Sequence, residues 1–271
     1  MRLALTIAGS DPGGGAGIQA DLKTFAAFGL YGVSAITAVT VQSTMGVQAV
    51  SPLPADLVTA QIEALAGDVT IGATKIGMLA TSAIVEAVAA AVKELDLPLV
   101  VIDPVLVATS GQLLLEADGV QAMRLELLPL ARAITPNILE AETLTGRRIT
   151  SPDDVRESAR RIHDMGPAAV IITGGHGPWT GGHGPGTEVV DLLFDDGHFH
   201  ELRTPRVDSP HTHGTGCTFA AAVAAGLALG RPVHEAAARA QQYVAGAITH
   251  APGIGHGRGP LNHFWEWSSR P

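Results

Sequence analysis

Cysteine, aromatic side chains and charge are all scarce in this chain. Its 271 residues include one cysteine, three tryptophans, two tyrosines and six phenylalanines, and only 16% are charged. A single cysteine cannot close a disulfide within the chain, so nothing points to an oxidising compartment. Basic residues are few: 17 Lys and Arg stand against 26 Asp and Glu, for a net charge of −9. No basic stripe could neutralise the phosphates of a duplex, and a nucleic-acid partner is not expected. A membrane-spanning run is missing too. No charge occurs from Thr24 to Ala55, but Thr37, Thr40, Gln42, Ser43, Thr44, Gln48, Pro52 and Pro54 interrupt that stretch, whereas a spanning helix needs ~20 predominantly apolar residues. The opening MRLALTIAGSD has too short an apolar run for a signal peptide, which makes the cytosol the expected compartment. What the chain does have is aliphatic: 46% of it is hydrophobic and 32 residues are glycine. That composition predicts a large core of small side chains and close backbone approach.

Strand-length apolar runs alternate with segments of helical period. Leu3–Ala8, Val33–Val41, Thr74–Met78, Leu99–Ile102, Ala133–Thr135 and Ala168–Thr173 read as buried strands. Ile18, Leu22, Phe25 and Ala26 recur at helical spacing, and 55–66, 82–95, 118–128, 137–144, 152–165, 215–229 and 233–250 also read as helices. Val189–Phe194 and His198–Arg203, joined by Asp195-Asp196-Gly197, predict a small β-hairpin. Strand–helix alternation without a dividing linker predicts one α/β domain over residues 1–271, with a mainly parallel central sheet.

Chemistry concentrates where such folds collect ligands, beyond the carboxyl ends of strands. The segment Gly9-Ser10-Asp11-Pro12-Gly13-Gly14-Gly15-Ala16-Gly17 follows a strand and opens a helix, so its backbone can approach a ligand or an anion. It contains a G-x-G-x-x-G-like fragment, but no acidic residue follows a second strand to hold a ribose. A second glycine site, Thr212-His213-Gly214-Thr215-Gly216-Cys217, leads into an apolar helix whose first N–H groups form an anion cradle. The only cysteine stands there, and a helix N-terminus lowers a thiol pKa; a buried small hydrophobe is the competing reading. In Thr135-Pro136-Asn137-Ile138-Leu139-Glu140, Asn137 and Glu140 lie three apart on one helical face, where they could share a hydrated magnesium ion. Six histidines, His176, His183, His198, His200, His211 and His213, fit no compact zinc-ligand spacing.

The stretches AGSDPGGGAGIQADLKTF at 8–25, TAVTVQSTMGV at 37–47, TKIGML at 74–79, VIDPVLVATSG at 101–111, ITPNILEAETL at 134–144, TGGH at 173–176, HGTGCTFAAA at 213–222 and GHGRGPLNHF at 255–264 together resemble the hydroxymethylpyrimidine/phosphomethylpyrimidine kinases of thiamine biosynthesis, within the ribokinase-like superfamily. The resemblance implies a three-layer α/β/α fold and a site for ATP, Mg2+ and a small pyrimidine alcohol. It implies that Gly9, Ala16, Asp21, Gln42, Met78 and Val105 line the pyrimidine pocket. Asn137, Thr173, Gly175 and His213 match positions near ATP and its phosphates, and Glu140 and Asp103 those near the metal. Gly214, Thr215, Gly216 and Cys217 match the anion hole, with Cys217 standing where the superfamily's sugar kinases carry an Asp base. Thr173 departs from the Lys often found before GGH, and the segment GGHGPWTGGHGPGT at 174–187 has no clear match. A homodimer is implied as well. Pyridoxal kinase is the neighbouring reading, and a non-catalytic pyrimidine-phosphate sensor is a third.

Overall fold

Apolar strands that alternate with helices bury both faces of a sheet only when the connections cross over on each side, and nine strands do so here. The computed structural model describes residues 1–107, 111–174 and 187–268. Leu3–Ser10 (β1) leads through the helix Gly17–Ala27 (α1) to Tyr31–Ser43 (β2), which turns back as Gly46–Pro52 (β3). Ala55–Ala66 (α2), Ala73–Ile76 (β4), Ser82–Glu94 (α3), Val100–Ile102 (β5) and Ala117–Ala122 (α4) follow. Then come Ala133–Ile134 (β6), Ile138–Thr145 (α5), Pro152–His163 (α6), Ala169–Ile172 (β7) and the hairpin Glu188–Asp195 (β8) with His198–Pro205 (β9). Thr215–Ala228 (α7), Val233–Thr249 (α8) and Trp265–Ser268 (α9) close the order.

The strands form one sheet in the order β3-β2-β1-β4-β5-β6-β7-β8-β9. The six from β2 to β7 pair in parallel, and β3, β8 and β9 add antiparallel edges. Alternating side chains feed two cores. Leu5, Ile7, Ile76, Val100, Ile102 and Ile134 pack under α2, α3, α5 and α6. On the other face the strand residues are smaller, Ala4, Ala73, Val101, Ala133 and Ala169, and they meet α1, α7 and α8. Helix α7 is buried from Thr218 to Ala228, and its run of alanines lets it sit close to that face. At Gly226 an added Cβ would lie 2.7 Å from the Ala236 Cβ, so the α7–α8 crossing depends on the missing side chain.

Two expectations are corrected. The second strand extends well beyond Val33–Val41 and continues into β3, which carries no strong pattern of its own because it is an exposed edge strand. Residues 118–128 are not one α-helix: α4 stops at Ala122, and Met123–Leu127 forms a π-helical turn followed by a 3-10 turn over Leu128–Leu130. Pro129 has no N–H to donate, and its ring crowds the carbonyl four residues back. Most of the segment 174–187, with Gly175, His176 and His183, lies outside the described residues.

Replacing Gly226 by Val overpacks the α7–α8 contact and is expected to cost roughly 1–3 kcal/mol. The midpoint of thermal unfolding should fall by several degrees, and an unchanged midpoint would show that the contact relaxes freely.

Candidate active site

The strand order reverses between β1 and β4, and a crevice opens beyond the carboxyl ends of the strands on either side of that point. It encloses about 740 Å³ and is lined from five successive strand ends: Gly9 after β1, Met78 after β4, Asp103 after β5, Asn137 after β6 and Thr173 after β7. Gly214, Thr215, Gly216 and Cys217 at the start of α7 complete that wall, with Ala16, Gln42, Val105 and His213. Gln42 reaches the cavity from the end of β2, where the register with β3 shifts between Val41 and Gln42. A bulge of this kind re-aims a side chain. A Cβ at Gly9 would meet the Met78 Cε at 2.4 Å, so any side chain there would displace the end of Met78.

The first glycine loop is already occupied by its own chain. The Asp11 carboxylate accepts from the N–H of Gly13 (2.8 Å), Gly15 (3.1 Å) and Ala16 (2.8 Å), and from His213 Nε2 (2.9 Å). Burial opposes the charge on Asp11, but the bond from His213 and those from the backbone hold its pKa below the usual carboxylate value. The N–H groups expected to receive an external anion at this loop are therefore taken. At the start of α7, Gly214, at φ +86°, provides no side-chain cap; Thr215 N donates to Thr212 O at 3.3 Å, and Gly216 and Cys217 of the same turn line the cavity. The left-handed φ and a carbonyl contact both demand glycine, since a Cβ at Gly214 would fall 1.7 Å from Gly15 O.

Beneath this wall lies a charge cluster that sequence reasoning missed. Lys75, on β4, is fully buried, with Nζ 3.0 Å from Asp21 Oδ2 and 3.6 Å from Asp103 Oδ2. Thr6 donates to the same Asp21 oxygen at 2.6 Å. Asp21 is thus corrected from the pocket lining to the layer beneath it: the side chain is fully buried, with Oδ2 held by Lys75 and Thr6. Burial works against the Lys75 charge, and Asp21, Cys217 and Asp103 outweigh it, holding the ammonium above its ordinary pKa. Lone charges inside apolar strands were the available signal, both for Lys75 in ATKI and for Asp191 in EVVDLLFD.

The expectation of a depressed thiol pKa at Cys217 is overturned. Burial pushes the thiol far above its usual value and Asp103 and Asp21 add to this, while Lys75 and the Gly17 N–H pull the other way without prevailing. Asn137 and Glu140 are a capping box: Asn137 Oδ1 accepts from Glu140 N at 3.0 Å, and Glu140 Oε2 accepts from Asn137 N at 2.9 Å. Burial, with the Asp103 charge nearby, pushes Glu140 up to about 8. Asp103 Oδ2 is buried without a hydrogen bond. That oxygen faces Lys75 Nζ at 3.6 Å; two mutually repelling carboxyls suit a divalent cation that would take its other ligands from phosphate and water. No group of three His, Cys, Asp or Glu able to hold a metal alone occurs among the described residues, and His198 and His200 are exposed.

Farther along the cavity, Asp191 accepts from Gly174 N (2.8 Å) and Gln241 Nε2 (2.9 Å), and burial raises it to about 6.

Three comparisons bear on this arrangement. A sequence model of the phosphomethylpyrimidine kinase family matches residues 11–262. The hydroxymethylpyrimidine/phosphomethylpyrimidine kinase of Bacillus subtilis strain 168 is 47% identical over 261 residues, covering 96% of this chain and 94% of that one. A thiamine biosynthesis bifunctional protein of Geobacter sulfurreducens is 46% identical over 260 residues, and there the chain spans about half the relative, 52% of its length. Among solved structures, Staphylococcus aureus pyridoxal kinase in complex with AMP-PCP superposes with a TM-score of 0.89 at 36% identity, covering 98% of this chain and 94% of that one.

Lys75→Met strands the buried Asp21 charge and is expected to destabilise by about 3–5 kcal/mol. Adding Asp21→Asn should recover most of that loss in urea unfolding; a single variant as stable as wild type would contradict the pairing. Asp191 has a folded pKa above its unfolded one, so the folded protein holds a proton that the unfolded chain releases between about pH 4 and 6. Its contribution to stability declines as pH rises through that window and is level above it. The stability of Asp191→Asn relative to wild type should therefore improve from pH 4 to 6.5, and a pH-independent difference would refute the shift.

Proposed function

The chain belongs to the phosphomethylpyrimidine kinase family, and from that membership we propose that it transfers the γ-phosphoryl group of ATP to 4-amino-5-hydroxymethyl-2-methylpyrimidine, and then to the monophosphate so formed, in thiamine biosynthesis. The observation that carries this reading is the placement of Cys217 in the first turn of α7, electrostatically coupled to Lys75 and Asp103, in the same cavity as Gln42 and Glu140.

Met78 and Val105 offer apolar walls to the ring, and the Gln42 amide offers one donor and one acceptor to a ring nitrogen and its neighbouring amine. The first-turn N–H groups of α7, aided by the helix dipole, face negative charge that gathers on the transferring phosphoryl group. Cys217 is the proton acceptor for the hydroxymethyl group in the first step. Accepting that proton requires the thiolate, which burial disfavours and which Lys75 and the Gly17 N–H favour; in phosphoryl transfer, positioning and charge stabilisation supply most of the acceleration. The second step starts from a phosphate monoester, already anionic at pH 7, and needs no base. Glu140 and Asp103, with the nucleotide's phosphates, would hold a magnesium ion, which would supply positive charge to the reacting phosphates. Asn137, Thr173 and His213 lie on the cavity wall; Thr173 gives a hydroxyl where a lysine would bring charge, so the clamp on the phosphates leans on the cation and the backbone.

The likeness to solved pyridoxal kinases supports a second, related reading, phosphorylation of the hydroxymethyl group of pyridoxal. Among the described residues no helix is long and apolar enough to cross a membrane, and the proposal places the enzyme in the cytoplasm as a homodimer acting as one kinase domain.

Pure protein with ATP and magnesium should convert the pyrimidine alcohol to monophosphate and then diphosphate by mass spectrometry, with pyridoxal in a parallel tube. No pyrimidine phosphate in either step would sink the proposal, and product from pyridoxal alone would favour the second reading. Cys217→Ala should lower the first phosphorylation by about 10²–10⁴ and the second by less; wild-type rates in both steps would remove Cys217 from the mechanism.

A further inference from the structure

His213 occupies a different place from the one its motif suggested. Its ring lies against Gly15, where a Cβ would meet the His213 Cδ2 at 2.6 Å, and its own N–H is held by Gly259 O at 3.2 Å. Its Nε2 stands between two partners, Asp11 Oδ2 at 2.9 Å and the Gln42 amide end assigned as Nε2 at 3.2 Å. At its other end the amide atom assigned as Gln42 Oε1 lies 3.2 Å from Thr40 Oγ1, which also reaches Ser10 O at 2.8 Å; the amide's oxygen and nitrogen exchange places by a half turn, so their order is set by the hydrogen-bond network.

We propose that His213 is a positioning residue that fixes which way round the Gln42 amide faces the cavity, through a hydrogen-bonded chain from Asp11 through His213, Gln42 and Thr40 to Ser10. Its consequence for specificity rests on the pyrimidine substrate proposed above.

The direction of the chain follows from its two ends. Asp11 is a carboxylate that already accepts three backbone N–H groups, so it can only accept from His213. Nε2 therefore carries hydrogen, whether the imidazole is neutral or charged. The single Nε2–H goes to Asp11 and can only be shared with a second acceptor, never accept from the Gln42 amine, so the Gln42 group that suits the 3.2 Å approach is its carbonyl oxygen, as the second acceptor of a three-centre bond. At the far end the single Thr40 hydrogen goes to the carbonyl of Ser10, which can only accept. Thr40 is left with lone pairs, and these call for the Gln42 amine. Both ends demand the same orientation, oxygen toward His213 and nitrogen toward Thr40. The opposite orientation, related by a half turn about the last side-chain bond, sets donor against donor at one end and acceptor against acceptor at the other.

With one lone pair and one N–H committed to the chain, the amide has one lone pair and one N–H left, side by side and in a fixed order. A 4-aminopyrimidine presents a ring-nitrogen acceptor next to an amine donor, and it meets that pair in one sense only. An analogue without the amine leaves the amide oxygen unmatched. Hydrogen-bonding sites of this kind discriminate strongly because the unmatched group stays buried without a partner.

The test combines one spectroscopic and one binding measurement. In the free wild-type protein, 15N-detected NMR of labelled histidine should show His213 Nε2 bearing hydrogen; a bare Nε2 would overturn the chain. Calorimetry then compares 4-amino-5-hydroxymethyl-2-methylpyrimidine with the same alcohol lacking the 4-amino group. Wild type should prefer the amino compound, and His213→Leu should narrow that preference about tenfold, as expected for one oriented hydrogen bond. His213→Gln, whose amide N–H can still reach Asp11, should keep most of it, and Thr40→Val should narrow it from the other end. An unchanged preference in both His213→Leu and Thr40→Val would overturn the proposal, as would equal loss of affinity for both alcohols. Failure of the substrate reading is seen separately, as absence of phosphorylation by wild type.

Discussion

A lysine ammonium held without water between two aspartates is the constraint on which the site depends. Lys75 ties β4 to α1 through Asp21 and approaches Asp103 after β5, so three segments that meet at the sheet's switch point share one charge. Removing Lys75 would leave the buried Asp21 charge unpaired, which is far costlier than never having built the cluster. The same cluster sets the electrostatics above it. Asp103, Asp21 and Lys75 all act on Cys217, and Asp103 acts on Glu140. Residues in the cavity wall thus titrate as neighbours of a structural ion pair.

Close backbone approach is the second requirement, and small side chains meet it. The sheet face under α7 is built from Ala4, Ala73, Val101, Ala133 and Ala169, which lets a helix buried from Thr218 to Ala228 settle low over the strands. Its N-terminus then arrives beside the first glycine loop, with Gly214 against Gly15. The two loops look alike in sequence and behave differently. Asp11 fills one with an internal carboxylate, whereas no side chain caps the helix that follows the other, whose Gly216 and Cys217 line the cavity.

Charge in this cavity is poised by opposition. Glu140 and Asp103 repel each other and burial raises Glu140 to about 8, whereas Asp11, with four donors, stays ionised. A divalent cation arriving with the nucleotide would relieve the first pair and has no effect to offer the second. Acid–base behaviour is thereby divided by environment between residues of one type, as expected where phosphoryl transfer relies on preset electrostatics.

Much of the fold was legible because its signals are local. Ala55–Ala66 was bounded correctly by apolar period alone, and the hairpin was marked by Asp195-Asp196-Gly197. The order of motifs, GSDPGGGAG, N-x-x-E and HGTGC, identified the family, since each answers a short-range demand for positive φ, a capping box or an uncapped helix start. The roles of individual charges were not legible. Asp21 reads as a helix residue near a ligand loop, and only the packing of α1 on β4 turns it toward Lys75. Cys217 reads as a thiol favoured by a helix dipole, and only its depth and two aspartates reverse that. Nor could spacing reveal that Asp11, His213 and Gln42, up to 202 residues apart, form one chain. The sequence alone determined which backbone conformations and helix ends are possible, because those depend on neighbours along the chain. Tertiary structure decided which charges are paired, buried or left for a ligand, because desolvation and Coulomb energies depend on distances that exist only once the strands and helices have packed.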